Sequence, residues 1–281
     1  MTITLLGGIG LFLLGMTLLT DGIRACAGAK LREILARVVR GPVSAMFSGA
    51  ALTVAVQSSS ATTLTTIGFV NAGLLSFPLA IGVIFGANVG TTSIGWIVSV
   101  FGLKLSLSAV ALPVVFVGAM LRLLGHGRLV PLGAAIAGFG LLFFGIGLLQ
   151  DGMSGLAGRV DPATLPGGGF WGSLKLVGIG FVMVVVMQSS GATVAVTLAA
   201  LHEGAIDIEQ GAALIIGQNI GTTLTAVIAA IGASVAAKRT AAAHVVFNVL
   251  TGAMVFALLP VFFWAVKRWE AATGQPAGGN A

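Results

Sequence analysis

Charge is scarce in this chain: 8% of its 281 residues are Asp, Glu, Lys or Arg, against about 25% in a soluble domain. Tyrosine is absent, and cysteine occurs once, as Cys26. A lone cysteine excludes an intramolecular disulfide and supplies no thiolate cluster for zinc or redox chemistry. The apolar runs are long and continuous with little strict period-2 alternation, which argues against a transmembrane barrel. There is no Walker loop, and no His/Asp arrangement accompanies Ser59, so the sequence offers no hydrolytic machinery and reads as a non-enzyme without a cofactor.

What remains is apolar: 57% of residues are hydrophobic and 42 are glycine, with a mean hydropathy of +1.08. This composition predicts an all-α integral membrane protein with close helix contacts and interrupted helices. The net charge of +6 comes from basic residues flanking apolar segments, where they report membrane orientation rather than nucleic-acid binding. The first apolar stretch, Ile3–Thr20, has no basic segment before it and ends at Asp21, so it reads as a retained helix and not a cleaved signal peptide.

Against that background Gln57-Ser58-Ser59-Ser60-Ala61-Thr62-Thr63 returns as Gln188-Ser189-Ser190-Gly191-Ala192-Thr193-Val194. Hydroxyls and amides in hydrocarbon are costly unless they are partnered or line a cavity. The repeat extends further. Leu14–Gly22 resembles Phe144–Gly152, and Gly86-Ala87-Asn88-Val89-Gly90-Thr91-Thr92 resembles Gly217-Gln218-Asn219-Ile220-Gly221-Thr222-Thr223. Three landmarks in the same order and spacing point to a duplicated unit, residues 1–125 and 126–270, joined near Gly125–Arg128 and followed by a flexible tail at 271–281.

Each unit reads as about three transmembrane helices plus a re-entrant hairpin. The spans expected in the first unit are Ile3–Thr20, Pro78–Val100 and Leu105–Leu124, with the hairpin at Pro42–Phe77. In the second they are Val130–Gln150, Gln210–Ala233 and Thr240–Val266, with the hairpin at Gly172–Leu201. The hairpin follows from length. From Val43 to Val56 there is helix for about 21 Å, against roughly 30 Å of hydrocarbon. The alternative is one long helix whose serines bond back to carbonyls a turn earlier. An odd number of crossings per unit makes the second copy inverted. The charges agree: Arg24, Lys30, Arg32, Arg37 and Arg40 follow the first helix, while Asp151, Arg159 and Asp161 follow its counterpart. The former side is then cytoplasmic, and Lys30–Arg40 also reads as an interfacial amphipathic helix.

Inverted repeats with broken helices are the architecture of secondary transporters. The residues at the breaks carry no formal charge: Gln57, Ser58, Ser59, Ser60, Thr62 and Thr63 in one hairpin, Gln188, Ser189, Ser190 and Thr193 in the other. Asn88, Thr91 and Thr92, with Asn219, Thr222 and Thr223, stand nearby in sequence as supporting groups. Their oxygens and the freed carbonyls suit a small hard cation such as sodium, and new helix N-termini suit an oxyanion. The plainer reading, hydroxyls as packing devices, remains open for any single residue. Asp21 and Asp151 read as interface carboxylates. His244 and Asn248, one turn apart, face either the substrate path or a neighbouring helix.

The Gln-Ser-Ser motifs, together with Gly68–Leu75 and Gly86–Thr92, make the chain resemble the type II sodium/phosphate cotransporters in their bacterial branch, over about Gly7 to Phe256. The resemblance implies sodium-coupled movement of inorganic phosphate across the cytoplasmic membrane by alternating access. The two Gln-Ser-Ser hairpins would form the substrate and sodium site, the Asn and Thr residues above would support it, and the family would imply a homodimer. Two departures stand out. Gly191 replaces a serine, which leaves the sodium number open, and no PhoU-like helical domain follows, so regulation of that kind would fall to a separate protein. Another oxyanion as cargo, or a non-transporting phosphate sensor or scaffold, are the alternatives.

Overall fold

A computed structural model describes residues 2–104, 107–157, 162–167 and 169–274. Arg159, Asp161 and the tail from 275 onward lie outside the described residues, as do the side chains of 27–38 that would form the amphipathic face. Among the described residues there is no strand; the chain is all-α. The helices are α1 (Thr2–Val38), α2 (Pro42–Val56), α3 (Ser59–Asn71), α4 (Phe77–Trp96), α5 (Ser108–Leu124) and α6 (Leu129–Ala157). They continue as α7 (Phe170–Met187), α8 (Ser190–His202), α9 (Ile208–Gly221), α10 (Thr223–Ala229) and α11 (Val235–Thr273). A π-helical segment, Ile97–Lys104, extends α4.

Glycine spacing decides which helices meet. Gly8, Gly15 and Gly22 recur every seven residues along one face of α1 and lie against Gly145, Gly138 and Pro131 of α6 respectively, so the two helices run antiparallel. Without side chains there, the backbones approach more closely than any Cβ would allow, the means by which membrane helices gain packing energy where the hydrophobic effect between them is weak. Helix α5 closes on the other side of α6 through Gly118, Gly133 and Gly140.

The hairpins use the same device in duplicate. Gly49 of α2 faces Val83 of α4, and Gly86 of α4 faces Met46 of α2. At positions 131 residues on, Gly180 of α7 faces Leu214 of α9, and Gly217 of α9 faces Val177 of α7. In both pairs the helices run parallel. The sequence repeat is therefore also a packing repeat.

Each second hairpin arm then docks on the opposite half. Ile67 and Val70 of α3 pack with Ala226 and Ala230 of the α10 turn and with Ala237 and Ala241 of α11. Ala192 and Ala195 of α8 pack with Phe12 and Met16 of α1 and with Ile94 and Val98. This exchange brings the two breaks towards one another.

Six helices are long and apolar enough to cross a membrane, so the chain is a multi-pass membrane protein. They are not quite the six expected. Helix α7, the first arm of the second hairpin, is 18 residues long and qualifies, whereas α5 falls among the shorter apolar helices. Helix α1 runs unbroken for 37 residues instead of stopping near Thr20. The second-unit span expected as one helix is divided at Thr222 into α9 and α10.

Candidate functional site at the two hairpin tips

The break between α2 and α3 is made by two residues. Gln57 adopts the left-handed conformation (φ 52°, ψ 32°), and Ser58 returns to extended backbone (φ −151°) before α3 begins. Gln188 (φ 52°, ψ 20°) and Ser189 (φ −145°) repeat the turn between α7 and α8. The continuous-helix alternative is thereby excluded. These two glutamines are the only non-glycine residues with positive φ among the described residues, a conformation costing about 1–2 kcal/mol for a residue with a Cβ. Glycine is usual at such a helix end; here glutamine is held instead, and such strain gathers at functional sites.

The side chains explain how the turn is tied. The Gln57 amide donates to the Val54 carbonyl at 2.6 Å, and that of Gln188 to the Val185 carbonyl at 2.5 Å, each capping an orphan carbonyl of the helix just ended. The Ser58 hydroxyl accepts from Ala61 N–H and the Ser189 hydroxyl from Ala192 N–H, both at 3.2 Å, capping the helix about to start. The first serine of each motif is therefore an N-cap, and Ser59, Ser60, Ser190 and Gly191 occupy the first turns of α3 and α8.

A small chamber lies where the tips meet. Gln57 and Ser59 from the first hairpin line it together with Ser190 and Gly191 from the second, and Thr53, Gly90, Thr91, Ser93 and Ile94 complete the wall. Its free volume, about 10 Å³, is room for roughly one water-sized sphere. A cavity of about 640 Å³ adjoins it and shares Thr91, Ile94 and Ser190. Asn88, Thr92, Asn219 and Thr222 line this larger vestibule. No charged side chain among the described residues lines either space.

The hydroxyl protons of the supporting threonines are committed to carbonyls of the backbone just before them. Thr91 donates to Ala87 O (2.9 Å), Thr92 to Val89 O (2.7 Å) and Thr222 to Asn219 O (2.7 Å), all within their own helices. The Asn88 amide donates to Ile84 O at 3.2 Å. These groups consequently have oxygen lone pairs left to offer, which is what a hard cation needs. Hydrogen-bond donors are supplied by the first N–H groups of α3 and α8, which lack partners within their helices.

Some expected residues serve as framework. Thr62, fully buried, accepts from the Thr53 hydroxyl at 3.0 Å and donates to Ser58 O at 3.1 Å. Thr193 donates to Ser190 O at 2.9 Å. Thr63 and Thr223 are buried, and neither lines the chamber or the vestibule, nor do Ser58, Ser60, Gln188 or Ser189. Asn248 is wholly buried and donates to the His244 carbonyl at 2.9 Å within α11, so its bond is made along the helix rather than to a neighbour. The amide oxygen of Asn248 and Nδ1 of His244 are left without partners. Asp21 and Asp151 are exposed, as interface carboxylates would be.

Gln218 was not foreseen. Only 1% exposed, it donates to the Thr197 hydroxyl at 2.7 Å and the Thr193 carbonyl at 3.3 Å, tying α9 to α8. A signal did exist: the repeat places Ala87 where the second copy has Gln218. Thr53, Ser93 and Thr197 also lacked a motif that would announce them.

An all-α, multi-pass membrane protein with two broken hairpins meeting at an uncharged polar chamber has the architecture of a transporter. Comparison with known sequences agrees and is more specific: a profile of the Na+/Pi-cotransporter family matches residues 11–151 and 172–274, and the chain belongs to that family. It is 36% identical over 256 residues to "Uncharacterized protein YqeW" of Bacillus subtilis, covering 88% of this chain and 79% of that protein. It is 30% identical over 251 residues to "Putative inorganic phosphate export protein YjbB" of Salmonella typhimurium, covering 88% of this chain but 45% of that one. A shorter match, 32% over 97 residues (34% of this chain and 15% of the other), is to sodium-dependent phosphate transport protein 2A of rat. No solved structure matches.

Proposed function

We propose that the protein moves inorganic phosphate across the cytoplasmic membrane, coupled to sodium, by alternating access at the two hairpin tips. In this reading residues 1–125 and 126–270 are two copies related by inverted topology. The antiparallel packing of α1 on α6, which occupy equivalent places in the repeat, supports that relation. The observation that carries the function is the meeting of Gln57 and Ser59 with Ser190 and Gly191 at one chamber beside a wall of lone-pair oxygens.

The chemistry divides accordingly. Phosphate oxygens accept from the N–H groups at the first turns of α3 and α8, where the helix dipoles favour negative charge. Sodium sits against the threonine and amide oxygens, and its charge offsets the cost of bringing an anion into a site without lysine or arginine. Sodium binding first makes phosphate entry favourable. The chamber has room for only about one water-sized sphere, so passage of phosphate requires the tips to separate, with one hairpin moving relative to the other.

The test is accumulation of labelled phosphate in proteoliposomes under an inward sodium gradient, with a matched potassium gradient as control. Sodium-dependent accumulation above equilibrium is expected. Accumulation equal in the two gradients would remove the sodium coupling, and none in either, with folded protein present, would favour another oxyanion or a phosphate sensor. Direction needs its own arm, because the YjbB relatives are named for export: phosphate-loaded vesicles under an outward sodium gradient should lose label faster than under potassium.

A further inference from the structure

The vestibule is much larger and far less polar than an ion of five heavy atoms requires. At about 640 Å³ it falls within the range of sites that enclose a drug-sized organic molecule, which are typically apolar with a few placed polar groups. Two of its polar residues border the chamber: Thr91 and Ser190 belong to both spaces, and Asn88 stands one turn from Thr91 on α4. Most of the surface it presents is nonetheless apolar, with Trp96, Val194, Leu198, Phe247 and Val255 in the wall beside the polar Ser99, Asn219, Thr222 and Thr251. Phe247 is held in place by stacking on Phe85, with ring centroids 4.0 Å apart. One polar side chain in the wall is peculiar. Both amide protons of Gln218 are committed to Thr197 and Thr193, and its buried amide oxygen has no partner. The only hydrogen-bonding function it has left is that of an acceptor, which suits the P–OH of a protonated phosphoryl group.

We infer that the vestibule is a binding site for organic phosphate monoesters or phosphonates carrying an apolar group. The phosphoryl head lies at the Ser190 end, by the N-terminus of α8, and the apolar body lies along Trp96, Phe247 and Val255. Such a molecule occupies the route to the chamber and competes with inorganic phosphate. The inference rests on the phosphate reading above and adds a ligand class to it.

The experiment is inhibition of sodium-dependent phosphate uptake into proteoliposomes by methyl phosphate, 1-naphthyl phosphate and 1-naphthalenesulfonate. Naphthyl phosphate should inhibit competitively at a concentration about tenfold or more below methyl phosphate, and the sulfonate should be weak. Trp96→Ala and, separately, Phe247→Leu should shrink that advantage to about threefold or less while leaving the KM for inorganic phosphate unchanged. Equal potency of the two phosphates, with phosphate uptake intact, overturns the inference and leaves the transport reading standing. Equal potency of the sulfonate and the naphthyl phosphate also overturns it, since the cavity would then hold apolar groups such as lipid chains regardless of head. Absence of phosphate uptake in the uninhibited protein removes the underlying reading itself.

Discussion

The two hairpins make the same turn and hold it differently. Both end the first arm on a left-handed glutamine, cap the second with a serine, and fit against the following helix through glycines 131 residues apart. In the first, the tie across the break is internal: Thr53 of α2 reaches Thr62 of α3. In the second, Val184 stands where Thr53 would be, and the tie comes from outside, from Gln218 of α9 to Thr193 and Thr197 of α8. The first hairpin carries a tie between its own two arms, besides bonds from Thr20 of α1 to Val56 O and from Gln57 to Ser93 of α4, whereas the tie of the second is made by its neighbour α9. Backbone geometry is what the duplication has in common, and the side-chain network is what sets the copies apart.

The largest effect should come from the part the copies share. Gly86→Ala and Gly217→Ala would each drive a methyl into a backbone carbonyl, of Met46 and of Val177. Overpacking of this kind costs about 1–3 kcal/mol or more. Both variants should lose thermal stability in detergent by similar amounts. A large loss in one and none in the other would break the equivalence of the two seams.

Next come the ties, where the copies should separate. Gln218→Leu leaves the Thr197 hydroxyl without its donor and loosens α8 from α9, at about 2 kcal/mol by the usual worth of buried hydrogen bonds. Thr53→Val costs less, about 1 kcal/mol, because Thr62 keeps its bond to Ser58 O. Hydrogen exchange should show the first change loosening α8 and α9 together, and the second confined to α2 and α3. Identical exchange patterns would contradict the distinction drawn between the hairpins.

Gly191→Ser should do least to the fold. A Cβ there meets only side-chain atoms, Ile94 at 3.4 Å and Met16 at 3.6 Å, which is ordinary contact. Stability should change by less than about 0.5 kcal/mol, measured by thermal unfolding. The restored hydroxyl should alter the sodium concentration dependence of transport, and an unchanged dependence would place Gly191 outside the sodium shell.

Much of this was legible before the structure. The break at Gln57 follows from an arm too short to cross hydrocarbon and a polar motif at its end, and duplication of the motif carries the inference to Gln188. Asn88, Thr91, Thr92, Asn219 and Thr222 stood out in the sequence by their repetition, and all five line the vestibule. What was hidden depended on neighbours. Whether Thr62 faces a cavity or Thr53 is decided by the tilt of α2 on α3, and Gln218 acquires its role only when α8 lies beside α9. The division at Thr222 was hidden for a local reason. Thr222, Thr223 and Thr225 all bond back to carbonyls three residues earlier, and such bonds compete with helix continuation, whereas a pattern of apolar residues reads straight through them. The length of α1 was hidden because its polar continuation past Asp21 resembles a helix end.

The central claim is that both glutamines are held in a strained conformation for the sake of the transport site. Sodium-driven phosphate accumulation by Gln57→Gly and Gln188→Gly, each measured beside its own thermal unfolding curve, tests it most directly. Glycine relieves the left-handed strain, about 1 kcal/mol, so both variants should fold at least nearly as well as the parent. The account predicts that each nevertheless loses at least a hundredfold in sodium-dependent uptake. Folded variants that transport at the parental rate would mean that the two glutamines merely shape the turns, and that the site lies elsewhere.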